Sequence, residues 1–399
     1  MEKLYYKDFY TKDFIADVTE ALVIEGKYHI VLDKTAFFPG GGGQFCDNGY
    51  IDDKKVIDVY EKNDKVYHIF DEDINNYKNL KCSINWQRRL DGMEQHFAQH
   101  VLSGCFYKLF NRNTVSFHLG KESSTVDIEG DFSYDELLEV EKMANDIISK
   151  NLKTEVIVPN KKDLESIKLR RDLPNTNSEI RIIKIGELDI NACCGIHLNS
   201  TLELRMIKII KTEKNRSATR VEYLAGQRAI DYSLKRDIYL SEVCKYLKSK
   251  DLDIVNTIDN IYEKVDKYKS KIKNLESKLL TNELNEFLNG ENEFINGITL
   301  FNKIYFDYDL KFIKNISQNL TNYDNKIFIG VLRNDNNASL ILSSSKNIDV
   351  DMRDILKDIL LEFSGKGGGN KNLVQASIDG DYYYKLNLVT KEKIKKHLL

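Results

Sequence analysis

The sequence predicts an α+β protein of several domains, and three observations carry that prediction. Residues 1–82 show strand-like alternation with no long helix, residues 83–225 mix amphipathic helices with strands, and residues 226–288 read as helix throughout before alternating strands and helices return over 289–399. At 399 residues the chain is long enough for more than one hydrophobic core. Charged residues make up 30% and hydrophobic residues 42%, an ordinary globular composition. No run approaches eighteen apolar residues, and the start, "MEKLYYKDFYTKDF", has no apolar signal core, so no membrane span and a cytoplasmic location are expected. Six cysteines over this length make no disulfide scaffold; they are expected as thiols or metal ligands. With a net charge of −3, any nucleic-acid partner has to be held by local basic patches.

The elements follow in order. "FIADVTEALV", "KYHIVLD" and "KVIDVYEKNDKVYHIF" alternate like strands, the last breaking at Asn63-Asp64 as a hairpin, so 1–82 reads as a small β-barrel-like domain. "WQRRLDGMEQHFAQHVLSGCFYKLF" is a long amphipathic helix. "STVDIEG", "EVIVPN", "EIRIIKIGELDI" and "STLELRMIKIIKTEK" read as strands and "SYDELLEVEKMANDIISKNL" as a helix, which makes 83–225 an α+β domain. From Ile254 through Ile258, Ile261, Val265, Tyr268, Ile272 and Leu275 to Leu279 the apolar positions step by four and three. Such a heptad seam packs either against residues 227–249 in a hairpin or against a second copy, and the shorter partner favours a homodimer. In 289–399 "KIFIGVLRND" and "ASLILSSS" are strands, "DMRDILKDILLEF" is a helix, and "SGKGGGNKNLVQAS" reads as a glycine loop.

Four stretches carry candidate chemistry. In "HFAQH", His96 and His100 share one helix face, as core histidines or as ligands. "CCGIHLNST" offers Cys193 and His197 on a turn between strands, with Gly195 supplying freedom and Cys194 as a filler. Adjacent cysteines are not a Cys-x-x-Cys redox pair. Three imidazoles and one thiolate are a typical zinc set, so one Zn2+ per chain is expected on His96, His100, Cys193 and His197. "TAFFPGGGGQFCDNG" is either a flexible turn or a loop that lays bare amides, including those of Gly42 and Gly43, and the Gln44 side chain against a ligand. It is neither a Walker loop nor a dinucleotide fingerprint. "SFHLG" adds His118 to the candidates.

The order "FFPGGGGQ", "HFAQH", "SFHLG", "CCGIH", "RVEYLAG" resembles the editing domain of alanyl-tRNA synthetases and the AlaX proteins. The family's glycine motif reads roughly FYPEGGGQ and its second metal motif CGGTH; here Phe38, Gly40, Cys194 and Ile196 depart, and every ligand is kept. "SGKGGGNKNLVQAS" is similar to the signature of the DHH-associated domain, so the resemblance spans nearly the whole chain, with the helical segment between. On that resemblance the chain is expected to begin at the β-domain that precedes editing, without the aminoacylation domain of the synthetases. The resemblance therefore implies a stand-alone protein of the AlaX type that hydrolyses Ser-tRNA(Ala), with Gly-tRNA(Ala) a further substrate, and spares Ala-tRNA(Ala).

On that reading Thr35 is the residue expected to bond the serine hydroxyl, and Gly42, Gly43, Gln44 and His118 complete the pocket. Lys366 and Lys371 bracket Gly367, Gly368, Gly369 and Asn370, a pattern suited to tRNA phosphates. "KKDLESIKLRR" at 161–171 is a second basic stretch, or a solvated helix face. The alternative is a non-catalytic tRNA-binding module with a structural zinc. A phosphodiesterase would need a di-metal site, and no Asp-His-His run occurs.

Overall fold

The computed structural model describes residues 1–164, 167–171, 173 and 180–399, so the basic stretch 161–171 lies partly outside the described residues. The chain forms two compact units, 1–246 and 247–399.

In the first unit the strands up to Ile84 do not close into one barrel but divide between two four-stranded sheets and a parallel pair, Glu2–Lys3 with Lys34–Thr35. One runs Asp13–Ala16, Leu80–Ile84, Gly49–Ile51, Lys54–Val56; the other Val18–Ile24, Lys27–Leu32, Lys65–Phe70, Asp58–Lys62. "FIADVTEALV" is thus two strands in different sheets. The hairpin at Asn63-Asp64 forms as expected: both residues take left-handed φ, 53° and 58°, the type I′ geometry that matches strand twist. The long helix covers Trp86–Phe110, capped by the Asn85 side chain, which accepts from the Arg88 N–H, and ended by a left-handed Asn111. We call it the site helix. It packs under a sheet of Thr114–Leu119, Ser124–Glu129, Ala218–Ala225 and Ile207–Asn215, while Thr154–Ile157, Ile182–Ile185 and Asp189–Ala192 form a three-stranded sheet. "EIRIIKIGELDI" is therefore a hairpin, and "STLELRMIKIIKTEK" begins as a short 3-10 turn, Thr201–Leu204, before its strand. One continuous core joins Phe37 and Phe38 of the early region to Met93 and Phe97 of the site helix and Val221 of the later sheet.

That core holds two buried polar assemblies. Arg89 is 1% exposed and bonds both carboxylate oxygens of Asp47 and the carbonyls of Phe9 and Ala36. It thereby fastens the segment after the glycine-rich turn to the site helix, because Asp47 also accepts from Phe38 N–H. His68 is wholly buried; its Nδ1 faces the Ile30 carbonyl at 3.1 Å and so donates, which leaves Nε2 to accept from the Thr35 hydroxyl at 2.8 Å.

In the second unit a six-stranded sheet runs Glu293–Ile295, Ile298–Phe306, Lys326–Arg333, Asn337–Ser344, Leu373–Asp379, Gly365–Asn370, with Ile298–Phe306 and Lys326–Arg333 parallel and the other pairs antiparallel. Alternate residues of Lys326–Arg333 feed two cores: Ile327, Ile329 and Val331 meet helices Met352–Leu360 and Tyr383–Leu398, while Phe328 and Leu332 meet helix Leu310–Thr321. The glycine stretch is not a loop, as the sequence suggested, but the outermost strand of this sheet. A Cβ on Gly369 would lie 2.1 Å from the Leu373 carbonyl oxygen and one on Gly367 2.7 Å from that of Gln375, so the glycines are needed for close pairing with the next strand. The heptad seam lies on helix Ile254–Asn289 and stands open: Ile261 is 41% exposed, Tyr268 64% and Leu275 55%.

Burial holds His68 neutral, down to about 4 from an ordinary 6.5. The unfolded chain therefore binds the extra proton between those values, and the stability His68 contributes is complete above pH 6.5 and lost as pH falls towards 4. Urea unfolding followed through Trp86, the single tryptophan, should show wild type losing about 2 kcal/mol more than His68→Gln between pH 7 and pH 5. Equal losses in both proteins would mean that His68 is charged in the fold.

Candidate metal centre and its pocket

His96 and His100 lie one helical turn apart on the buried face of the site helix. Cys193 and His197 lie on the turn that follows strand Asp189–Ala192. The fold brings the four together, with one ligand atom from each within 4.8 Å of all the others. The three imidazole centroids form a triangle of 4.7, 5.0 and 5.2 Å, and Cys193 Sγ sits 3.4 Å from His96 Nε2. The histidines are buried and Cys193 half-buried, so the cluster opens on the cysteine side.

Neighbouring groups aim these rings. Gln44 Oε1 accepts the Ile196 N–H at 3.0 Å and is therefore the amide oxygen, so His96 Nδ1, 3.1 Å away, carries the proton and presents a bare Nε2. Asp189 does the same for His100: its carboxylate accepts from Nδ1 at 2.7 Å and is itself held by Arg170 Nε at 2.7 Å and by the Asn191 amide. Burial alone would raise the Asp189 carboxyl, but the His100 and Arg170 bonds hold it below its ordinary value. Burial likewise opposes ionising Cys193, yet the surrounding His96, His197 and His100 rings leave the thiol well below its usual range. Burial would lower His100 too, but its bond to Asp189 and the nearby Cys193 sulfur raise it to about 9, whereas burial takes His197 down to about 3.

The donor set fits a zinc ion. His100 Nε2 and both ring nitrogens of His197 are buried without a hydrogen-bond partner, a costly state that a metal ion would relieve. Three neutral imidazoles and a thiolate complete a tetrahedral set, and outer carboxylate and amide bonds to the far ring nitrogens are what metal-bound histidines usually carry.

The glycine turn closes on this centre. Gly41 and Gln44 exchange two backbone hydrogen bonds around Gly42 and Gly43, whose φ values of 58° and 81° need glycine. A Cβ on Gly42 would lie 3.2 Å from Cys194 Sγ and 3.8 Å from Cys193 Sγ, and one on Gly43 would meet the Phe117 ring at 2.5 Å. Gly195 packs still closer: a Cβ there would stand 2.2 Å from His96 Cε1. The glycine-rich and cysteine motifs are thus two walls of one pocket, with Phe117 stacked on His96 at 5.9 Å as a third.

The other expected residues fare unevenly. Thr35 is wholly buried; its hydroxyl donates to His68 and accepts from Phe37 N–H at 3.1 Å, which leaves one lone pair. His118 does not join the cluster: it is exposed on strand Thr114–Leu119, where successive side chains face opposite ways, and its neighbour Phe117 takes the inward position. Lys366, Gly367, Gly368, Gly369 and Asn370 line a groove of about 610 Å³ in the second unit, and Lys371 pairs with Asp349 at 2.9 Å. Sequence reasoning missed Asp189, Arg170, Phe117 and His68. The alternation of "GELDINACC" puts Asp189 and Asn191 on one face with Cys193, a signal that could have pointed to Asp189.

Residues 180–222, which include Cys193 and His197, match the threonyl and alanyl tRNA synthetase second additional domain. The whole chain is 27% identical to an alanyl-tRNA editing protein, AlaX-L, of Pyrococcus horikoshii and covers 99% of it. It is 31% identical to the alanine–tRNA ligase of Saccharolobus islandicus, where the match takes in 92% of this chain but 41% of the ligase. It is also 31% identical to the alanyl-tRNA editing protein Aarsd1-A of Xenopus laevis, over 60% of this chain and 59% of that protein.

Elemental analysis should find about one zinc per chain, lost in His96→Ala and in Cys193→Ala; full retention in both would remove the four-residue centre. Gln44→Ala and Asp189→Ala should keep the fold but weaken zinc roughly 10–100-fold in a chelator competition. With the ligand cluster, the glycine turn and a likeness that runs from end to end, the chain is similar to the alanyl-tRNA editing proteins of the AlaX type.

Proposed function

We propose that this protein hydrolyses the aminoacyl ester of mischarged tRNA(Ala), with Ser-tRNA(Ala) as main substrate and Gly-tRNA(Ala) as a second, and leaves Ala-tRNA(Ala) intact. The observation that carries the reading is the contact between the glycine turn and the metal centre through Gln44. The chemical need is general. A site built for alanine rejects a side chain that differs by one small group only about 10–200-fold, so a second site must destroy the errors.

The residues divide the work. His96, His100, Cys193 and His197 would hold zinc, which when bound supplies a positive centre that orients the substrate and polarises its ester. Gly42 and Gly43 leave room for the terminal ribose and offer bare amides, and Gln44 holds His96 and the Cys193–His197 turn in register. Thr35 offers its remaining lone pair to a serine hydroxyl, a donor that alanine lacks, while His68 holds the threonine hydrogen away. The alternative, a tRNA-binding module with a structural zinc, draws on the ligand count, because four protein ligands complete a tetrahedral site. Deacylation of Ser-, Gly- and Ala-tRNA(Ala) with and without a chelator separates the two. Hydrolysis of the seryl ester with the alanyl ester spared, abolished by chelation, is expected; zinc-loaded protein that binds tRNA and cleaves neither ester would mean the structural module. Thr35→Val should narrow the Ser/Ala rate ratio at least tenfold and Thr35→Ser should restore it; an unchanged ratio in Thr35→Val removes Thr35 from that role.

Two further assignments complete the proposal. Lys366 and Lys371, flanking Gly367, Gly368, Gly369 and Asn370, give the second unit affinity for tRNA phosphates, and translation in the cytoplasm is the setting. The open seam from Ile254 to Leu279 pairs with a second copy of the chain, because an apolar heptad stripe of this length needs a partner helix. Light scattering should give twice 46.3 kDa at micromolar concentration, and Ile261→Lys with Tyr268→Lys should halve that mass with zinc retained. A wild-type mass of 46.3 kDa would show the seam to be unpaired between chains.

A further inference from the structure

We infer that Arg181 is an anion anchor beside the metal centre and binds the phosphate of the substrate's terminal nucleotide. Arg181 is 7% exposed, and both terminal nitrogens of its guanidinium are buried without a hydrogen-bond partner. No carboxylate among the described residues lies within ion-pair distance of it. An arginine stays charged at any working pH, so this is an uncompensated buried cation. Its contact is a stacked one: the guanidinium carbon lies 3.6 Å from the centre of the Tyr6 ring, which offsets only part of the cost of burial.

The place of this cation is what links it to the pocket. The Tyr6 hydroxyl donates to the Cys194 carbonyl at 2.9 Å, and the Arg181 carbonyl accepts the Cys193 N–H at 2.9 Å. One tyrosine ring therefore connects the guanidinium to the turn that carries two of the metal ligands and touches Gly41 and Gly42. Tyr5, whose ring meets that of Tyr6 at 4.6 Å, holds a second buried hydroxyl without a partner. The fork of an arginine with its flat face stacked on an aromatic ring matches two oxygens of a phosphate, and a phenol supplies a further donor. Entry requires a side-chain movement at the rim, where Cys194 is exposed and Tyr6 half-buried.

The identity of the anion rests on the editing reading. An aminoacyl ester on a terminal ribose at the metal centre has its nucleotide phosphate a few bonds away, on the other side of that ribose. The charge is thus matched by a group every such substrate carries, whichever amino acid is attached, so Arg181 should govern capture and not the choice between serine and alanine.

The test uses the full zinc-loaded chain and three probes in calorimetric titration: a non-hydrolysable 3′-serylamino-adenosine, the same compound bearing a 5′-phosphate, and AMP. Wild type should bind the phosphorylated seryl probe at least tenfold more tightly than the unphosphorylated one. Arg181→Gln should bring the two within twofold with zinc content unchanged, and Arg181→Lys should keep part of the preference. In deacylation Arg181→Gln should raise KM and leave the Ser/Ala ratio as it was. A wild type with no preference, or an Arg181→Gln protein that keeps it, overturns the inference. AMP separates the two levels: binding of AMP that depends on Arg181, without binding of either seryl probe, retains the anion site and removes the editing reading.

Discussion

One oxygen atom holds the site together. Gln44 Oε1 accepts from the side chain of His96 and from the backbone N–H of Ile196, and so ties the glycine turn, the site helix and the Cys193–His197 turn at a single point. Each tie needs the others. The helix ring has its proton on Nδ1 because the oxygen is there, the oxygen is there because the Gly41–Gln44 hairpin points it inward, and the second turn reaches it because Gly195 has no side chain to strike the ring. A buried acceptor with two donors is well satisfied; the loss of any one leaves a buried polar atom stranded, at a cost of about 1–3 kcal/mol.

Around that point the protein manages buried charge by pairing it. Arg89 with Asp47, and Arg170 and His100 with Asp189, place charges inside the fold where each is answered by an opposite one and by hydrogen bonds. Pairs of this kind add little net stability, but they are unforgiving of the removal of one partner, so they fix geometry. Both pairs serve the centre: the first pins the segment that leaves the glycine turn, the second the ring of His100. Against this pattern the unanswered guanidinium of Arg181 stands out.

Much of this was legible in the sequence because it depends on local rules. The site helix, the Asn63-Asp64 hairpin and the pairing of His96 with His100 follow from periodicity and turn chemistry, and the two metal-ligand motifs are short enough to be read as units. What stayed hidden depends on contacts across the chain or on strand phase. Asp189 bonds a histidine 89 residues away, and His68 bonds Thr35 across two strands. His118 misses the pocket by a single step of alternation, because Phe117 takes the inward side. The glycine stretch 365–370 looked like a loop because a run of glycines satisfies both readings; only its neighbour strand, which comes too close for a Cβ, shows why it is a strand.

The ligands are also spread along the chain in a way that matters during synthesis. Two come at residues 96 and 100, and the other two only at 193 and 197, after two helices and five strands have intervened. A chain still emerging from the ribosome can offer only two of these four residues until Cys193 emerges, and closing that span costs conformational entropy that only the finished core repays. If these four residues hold a metal ion, its capture is a late event that reports completion of the first unit, and any ion held earlier by His96 and His100 alone would be held loosely enough to exchange.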